Sequence, residues 1–329
     1  MIPDPRWPAA LADARHHAGL TLRQLAARVH YSRSYLHGLE TGQRRTSPDI
    51  AGRLDDVLGT GGTLTRMLTT PTPGLTPDDE ARLAYVAAHP TRLDADAVRL
   101  LTRALAAARR LDDTTAARVM LPWAVPQWRT VHTLARQARG PHAPELHPIA
   151  AEWTQFIGWL YAEDRRSSEA VRFLVEAADQ AEAVGSGVLA AQASNFQGYV
   201  ARHRDQPLGI VRHFLTAYHT PGAATLQRVG DAAQAAHGLA LLGDQAAARR
   251  LLGEASDLVE AADGETAPET AYWLTPEFCR LNIGLAYRGL GDQATAADHL
   301  RAGLDSLPAD QADAEWTTEY RQALAATGR

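Results

Sequence analysis

Residues 20–48 read LTLRQLAARVHYSRSYLHGLETGQRRTSP, two short apolar-striped segments separated by a polar break. The Thr21-Leu22-Arg23-Gln24 start is a capping-box pattern, in which the Thr21 hydroxyl accepts from the third backbone N–H while Gln24 reaches back. Leu22, Leu25, Ala26 and Val29 then fall on one helical face, and a small residue at 26 permits close approach by a crossing helix. After the break at His30-Tyr31, Ser32 is placed to cap a second helix. In that helix Leu36 and Leu39 face inward, while Arg33, Ser34 and His37 face outward. Two short helices joined by a tight turn, each with one apolar and one polar face, are what a helix-turn-helix requires. Its second helix enters the DNA major groove.

The residues around this stretch agree with a helical reading. Candidate helices cover about 8–18, 21–29, 32–40, 48–58 and 62–68, each bounded by a residue such as Gly19, Gly42, Pro48 or Gly59. Strand-like alternation is nearly absent along the chain, so an all-α fold is expected. The segment TTPTPGLTPD, 69–78, holds three prolines and a glycine and is read as a linker between a domain at 1–68 and another at 79–329. The first 68 residues carry nine arginines against six acids, a net +3. The remaining 24 arginines and 32 acids leave −8 there, within an overall −5. A basic small domain beside an acidic large one fits a polyanion partner at the N-terminal end.

The residues themselves resemble a known family. Leu25-Ala26, Val29, Ser32, Leu36, Leu39-Glu40, Gly42 and Pro48 stand in the positions of the Cro/repressor-type (Xre) helix-turn-helix, and LDDVLGTGGTLTRM resembles the last helices of its actinobacterial members. The resemblance covers roughly 60 residues and joins core, caps and turn in one pattern. One position departs from it: the turn residue is often glycine and here is His30, which tolerates a positive φ better than most residues. The resemblance implies that Arg33, Ser34 and His37 are base readers, Arg33 being suited to bidentate contact with guanine. It implies that Thr21, Arg23, Ser32, Tyr35, Arg44 and Arg45 belong to the same DNA-binding surface, mostly as phosphate contacts that fix register. Glu40 is read as structural, holding the turn after the helix. Gly38 costs a helix interior about 1 kcal/mol and is expected beside the reading face, where a missing side chain allows close approach to the groove.

From residue 150 onward a motif returns loosely. Gly158, Tyr161, Ala170, Leu174 and Ala177 correspond to Gly284, Tyr287, Ala296, Leu300 and Gly303, the latter followed by Pro308. Two weaker copies carry Gly198, Ala201, Phe214 and Ala217, and Leu239, Gly243-Asp244, Ala248, Leu252 and Ala255. These offsets resemble the tetratricopeptide pattern, with spacings near 40 rather than a strict 34. Residues 79–139 are also helical, with PTRLDADAVRLLTRALAAARRLDD best patterned, and resemble the helical connector of actinobacterial regulators. FIGWLYAED resembles their sensor domain. The fold implied is a five-helix helix-turn-helix domain followed by an α-solenoid whose concave face is lined by the first helix of each pair. The usual concave positions fall on Gln155, Trp159, Gln192, Asn195, Tyr199, Arg202, His237 and Arg288, a set suited to a peptide or a small polar-aromatic effector.

Other signals point elsewhere. PHAPELHP brings His142, Glu145 and His147 together, but the prolines break any ligand spacing, and no metal is expected. GTGGT at 59–63 lacks the ending of a phosphate loop and reads as a helix break, and Cys279 lies on an apolar helical face as a packing residue. No triad, acid–base pair or cofactor loop is present, so neither enzymatic activity nor a cofactor is expected. No uncharged run suits a membrane span, a single cysteine forms no internal disulfide, and the N-terminus lacks the apolar core of a signal peptide. A cytoplasmic protein is therefore expected. The resemblance implies a transcriptional regulator acting as a homodimer on an inverted-repeat operator in double-stranded DNA. The rival reading is a protein-interaction adaptor with tetratricopeptide-like repeats and little or no DNA binding.

Overall fold

The computed structural model describes residues 7–44, 46–68, 72–262, 271–309 and 311–328. The fold is all-helical, with seventeen α-helices and no strand among these residues. The chain divides into two compact units, Met1–Thr72 and Pro73–Arg329.

The first unit holds α1 (Trp7–His17), α2 (Leu22–Val29), α3 (Arg33–Glu40), α4 (Pro48–Leu58) and α5 (Thr63–Leu68), within a residue or so of the helices read from the sequence. The Thr21 capping box is formed, and Ser32 caps α3 by accepting from the Tyr35 N–H at 3.1 Å. Between them His30 adopts the left-handed conformation, φ 57°, that the turn demands. Leu11, Leu25, Leu36, Leu39 and Leu54 meet in one core with no exposed surface, which is why α2 and α3 place their apolar stripes as they do. Two polar ties close it. The Trp7 indole N–H donates to the Leu64 carbonyl at 2.8 Å, joining α1 to α5. The Asp55 carboxylate accepts from the Leu64 and Thr65 N–H groups, both at 2.8 Å, capping the start of α5 from α4.

The second unit begins with α6 (Pro77–Ala88), α7 (Ala95–Asp112) and α8 (Ala117–Gln137). Helix α6 starts inside the segment read as linker: Thr76 and Asp79 form a capping box and Pro77 takes the first helical position, where its missing N–H costs nothing. Residues 69–71 of that segment lie outside the described residues.

Paired helices follow: α9 (Leu146–Glu163) with α10 (Ser167–Ala183), α11 (Gly187–His203) with α12 (Pro207–His219), and α13 (Thr225–Leu241) with α14 (Gln245–Ala261). The last pair is α15 (Pro276–Gly289) with α16 (Gln293–Asp305), before a terminal α17 (Thr318–Ala325). Each pair packs on the next, α10 on α11 and α12 on α13, while α15 returns to pack on α13.

The repeated glycines have a steric cause. A Cβ on Gly158 would lie 2.7 Å from Leu174, one on Gly198 2.7 Å from Phe214 and one on Gly284 2.7 Å from Leu300. In each pair the large residue comes sixteen positions after the glycine, so the second helix seats a bulky side chain directly on the backbone of the first.

Candidate functional site

The outward surface of the first unit is built by what its core leaves out. With Leu36 and Leu39 buried, the 3.6-residue period turns Arg33, Ser34 and His37 to solvent. Thr21 and Arg23 are exposed at the start of α2, and Ser32 at the start of α3. The Thr21 hydroxyl is occupied by its own cap, accepting from the Gln24 N–H and donating to Gln24 Oε1, so what it offers a partner is the helix terminus rather than a free side chain. Tyr35 is half-buried against Tyr31, ring centres 5.3 Å apart, and the Arg44 guanidinium sits 5.5 Å over the Tyr35 ring. Arg45, also read as a phosphate contact, lies outside the described residues.

Two readings change. Gly38 does not open a path to the groove: it is buried, and the Arg44 stem packs on it. The chain turns back after α3, with the Arg44 N–H donating to the Gly38 carbonyl at 2.9 Å, and the missing Cβ makes room for that return. Glu40 does more than hold its own turn. Its carboxylate takes the Arg15 guanidinium in two prongs, Nε to Oε1 at 2.6 Å and Nη2 to Oε2 at 2.9 Å, locking α3 to α1. The Glu40 hydrogen bond raises the Arg15 pKa against the opposing effect of burial.

Residues 9–68 match the helix-turn-helix domain family. No curated protein matches the chain. The match spans α1 to α5, apart from the first two residues of α1, and supports DNA binding by this unit. Within the matched segment α2 and α3 pack as consecutive short helices, and α3 turns Arg33, Ser34 and His37 to solvent.

The second unit contains a cavity of about 940 Å³ of atom-free space, its mouth included. The first helices of the four pairs line it: Phe156 and Trp159 from α9, Asn195 and Tyr199 from α11, Gln227 and Gln234 from α13, Phe278 and Asn282 from α15. Three further pieces close it, namely the end of α7 with Arg109 and Asp112, the stretch Tyr272–Leu274, and Trp316 just before α17 with Tyr320 on it. The rings pack edge to face and tilted, Trp159 lying 4.8 Å from Phe196 and 4.9 Å from Tyr199.

Charge inside the cavity is only partly matched. Arg202 pairs with Glu319 at 2.8 Å and donates to Gln234; burial opposes its charge and Glu319 outweighs burial. Arg109 is buried, donates to Gln155 and lies over the Phe156 and Trp273 rings at 5.2 and 5.4 Å. Burial pushes the Asp112 carboxyl up to about 7, although Trp159 Nε1 donates to it at 2.7 Å. The Tyr272 hydroxyl donates to Asp113 and to the Arg109 carbonyl, fastening the 271–274 stretch to α7.

Of the eight residues projected onto the concave face, Trp159, Gln192, Asn195, Tyr199 and Arg202 line this cavity. Three do not. Gln155, one turn before Trp159, is buried behind the wall, where it donates to Gln192 at 2.7 Å and accepts from Arg109. The His237 ring is within 2.9 Å of the Leu285 carbonyl, and burial pushes it down to about 4, so it is a neutral packing group between α13 and α15. Arg288 is exposed near the end of α15 and takes no part in the lining.

The lining residues that sequence reasoning missed come both from inside the pairs, as with Gln227 and Gln234 on α13 and Phe278 and Asn282 on α15, and from outside them, at the end of α7, 272–274 and 316–320. The dipeptide Tyr272-Trp273 beyond any helical pattern was the one available signal. Cys279 borders the cavity as a buried thiol pushed up to about 12 by burial, which makes it a poor nucleophile. Among the described residues no group of three or more metal-ligating side chains comes together, and no helix is long and apolar enough to cross a membrane.

Proposed function

We propose that this chain is a sequence-specific DNA-binding transcriptional regulator whose C-terminal unit senses a small effector and mediates homodimerisation. The observation that carries the reading is the coincidence of the helix-turn-helix match over residues 9–68 with an α3 that buries Leu36 and Leu39 and exposes Arg33, Ser34 and His37. In this reading Arg33, Ser34 and His37 read base edges, and Arg23, Arg44 and Arg45, with the α2 and α3 termini, hold the phosphates. The paired helices of the second unit are a degenerate tetratricopeptide-like array, and its cavity is the effector site. A single recognition helix reads only a few base pairs, so two copies on an inverted repeat supply the specificity one lacks. An effector that binds one curvature of the array better than another shifts the balance between DNA-competent and incompetent dimers by its differential affinity alone.

The test is selection of binding sites from fragmented genomic DNA by the purified full chain, followed by a salt series on the enriched site. A recovered inverted repeat, with affinity falling steeply as salt rises, is the expected result. Recovery of no preferred sequence would leave the chain an adaptor and sink the regulator reading.

A further inference from the structure

The cavity floor carries polar groups that no described residue satisfies. Both amide atoms of Gln227 are buried without a hydrogen-bond partner, as is Nδ2 of Asn282, whose Oδ1 already accepts from the Tyr320 hydroxyl at 2.9 Å. The two residues are 2% and 1% exposed, and both face the cavity. A buried amide left unbonded destabilises a fold by an amount comparable to a lost hydrogen bond, so such groups call for a partner that enters from outside. Gly230, one turn after Gln227 on α13, keeps the floor open: a Cβ there would sit 3.6 Å from Asn282 Nδ2. A primary amide presents one donor and one acceptor side by side, the arrangement that glutamine and asparagine use on the edge of adenine.

The walls above this floor are aromatic, with Trp159 and Tyr199 on the α9–α11 side and Trp273, Phe278 and Trp316 closing the other parts of the lining. Flat π-faced molecules stack on such rings whatever their substituents. Arg202 is held by Glu319. Arg109 makes no ion pair among the described residues and its Nε is buried without a partner, but its guanidinium is occupied by Gln155 and by the Phe156 and Trp273 rings. Walls supplied by seven separate pieces of chain suit a compact small molecule. An extended peptide laid along the face would have to displace α17, whose Glu319 and Tyr320 bind Arg202 on α11 and Asn282 on α15.

The structure assigns to this cavity an uncharged, planar heteroaromatic ligand that offers an adjacent hydrogen-bond donor and acceptor along one edge, as a lactam, an imide or a nucleobase does. The assignment rests on the effector reading above and sharpens it. Gln227 takes the edge in two hydrogen bonds, Asn282 donates a third, and the aromatic walls hold the faces.

Lumichrome, a neutral tricycle with an imide edge, is the probe, set against its N1,N3-dimethyl derivative, which keeps the rings and loses both donors. Titration of the full chain by isothermal calorimetry is expected to show lumichrome binding and the dimethyl derivative binding at least about tenfold more weakly. Gln227→Met removes the unsatisfied amide at nearly constant volume, so that variant is expected to melt no lower than the parent while binding lumichrome about tenfold more weakly. Equal binding of the two probes, or undiminished binding by Gln227→Met, overturns the donor–acceptor assignment. A peptide pool and an anionic aromatic acid are titrated beside lumichrome: if either binds and lumichrome does not, the assignment is overturned and the effector reading stands, and if none of these probes binds, both are overturned.

Discussion

The methylene stem of Arg44 lies so close over Gly38 that a Cβ on residue 38 would stand 2.9 Å from Arg44 Cγ and 3.1 Å from Cδ. Gly38→Ala therefore sets two effects against each other. The helix gains about 1 kcal/mol of propensity, and the Arg44 side chain is pushed off its seat. The expected outcome is a fold that melts within a few degrees of the parent and a DNA affinity about fivefold lower for specific and random sequences alike. A melting curve and paired titrations check it; unchanged affinity for both sequences would remove Arg44 from the DNA-binding surface.

Arg33 and Arg44 are exposed on different parts of the first unit and separate two kinds of contact. Arg33→Ala is expected to cost about 1–3 kcal/mol on the selected site and to relax preference at about one base pair. Arg44→Ala is expected to weaken all sequences alike and to lower the salt slope by about one. Competition titrations at several salt concentrations distinguish them, and identical behaviour would deny Arg33 its role as base reader.

The Arg15–Glu40 pair has side chains 11% and 9% exposed, so removing one partner strands the other in the core. Glu40→Gln keeps the shape and loses the charge, and is expected to destabilise the first unit by about 3 kcal/mol. Hydrogen exchange of peptides from residues 7–44 would report it. Protection equal to the parent would mean that water reaches Arg15 freely.

Asp55 in the first unit and Asp112 in the second are expected to respond to pH with opposite signs. Burial tends to raise the Asp55 pKa, but hydrogen bonds from Thr60, Thr65 and Leu64 outweigh it and hold the carboxyl below its ordinary 3.8. Its contribution is present above about pH 4 and is lost as pH falls through the lowered value. Asp112 is raised by burial from 3.8 to about 7, so its contribution is full below pH 4 and is lost as pH climbs to about 7. Hydrogen exchange resolved by segment across pH 3–8 should show α5 loosening on the acid side and the α7 end loosening toward neutrality. A shared direction would contradict the assignment.

Gly158→Ala and Gly284→Ala drive a methyl against Leu174 and Leu300, where the contact would be 2.7 Å in both cases. Each is expected to cost about 1–3 kcal/mol by overpacking, despite the better helix propensity of alanine. Gly253→Ala on α14, whose Cβ would meet nothing within 4 Å, is the control and is expected to be neutral or stabilising. Denaturant titration of the three variants checks the order.

Local chemistry was legible in advance wherever it acts within a few residues. The Thr21 box, the Ser32 cap and the positive φ of His30 each depend on side chains and backbone in immediate sequence reach. The glycine–bulky pairs were legible as a pattern because one spacing serves three helix pairs. Gly38 was misplaced because a helical wheel cannot see the chain returning through Arg44. The cavity was half legible: the first helices of the pairs announced Trp159, Gln192, Asn195, Tyr199 and Arg202, whereas Arg109, Tyr272, Trp316 and Tyr320 arrive from segments with no repeat register. No spacing rule relates Trp316 to Asp113, whose side chains meet across 203 residues of sequence.

That separation sets an order of assembly during synthesis. The helix-turn-helix unit is complete after the first fifth of the chain, and the helix pairs can stack as each emerges. The cavity of the second unit acquires its last wall only when residues 316–320 come back to Asp113, α11 and α15. A molecule bound there adds its free energy of binding to the contacts that join the two ends of the unit, so the effector of the proposed regulator would also be the final staple of its fold.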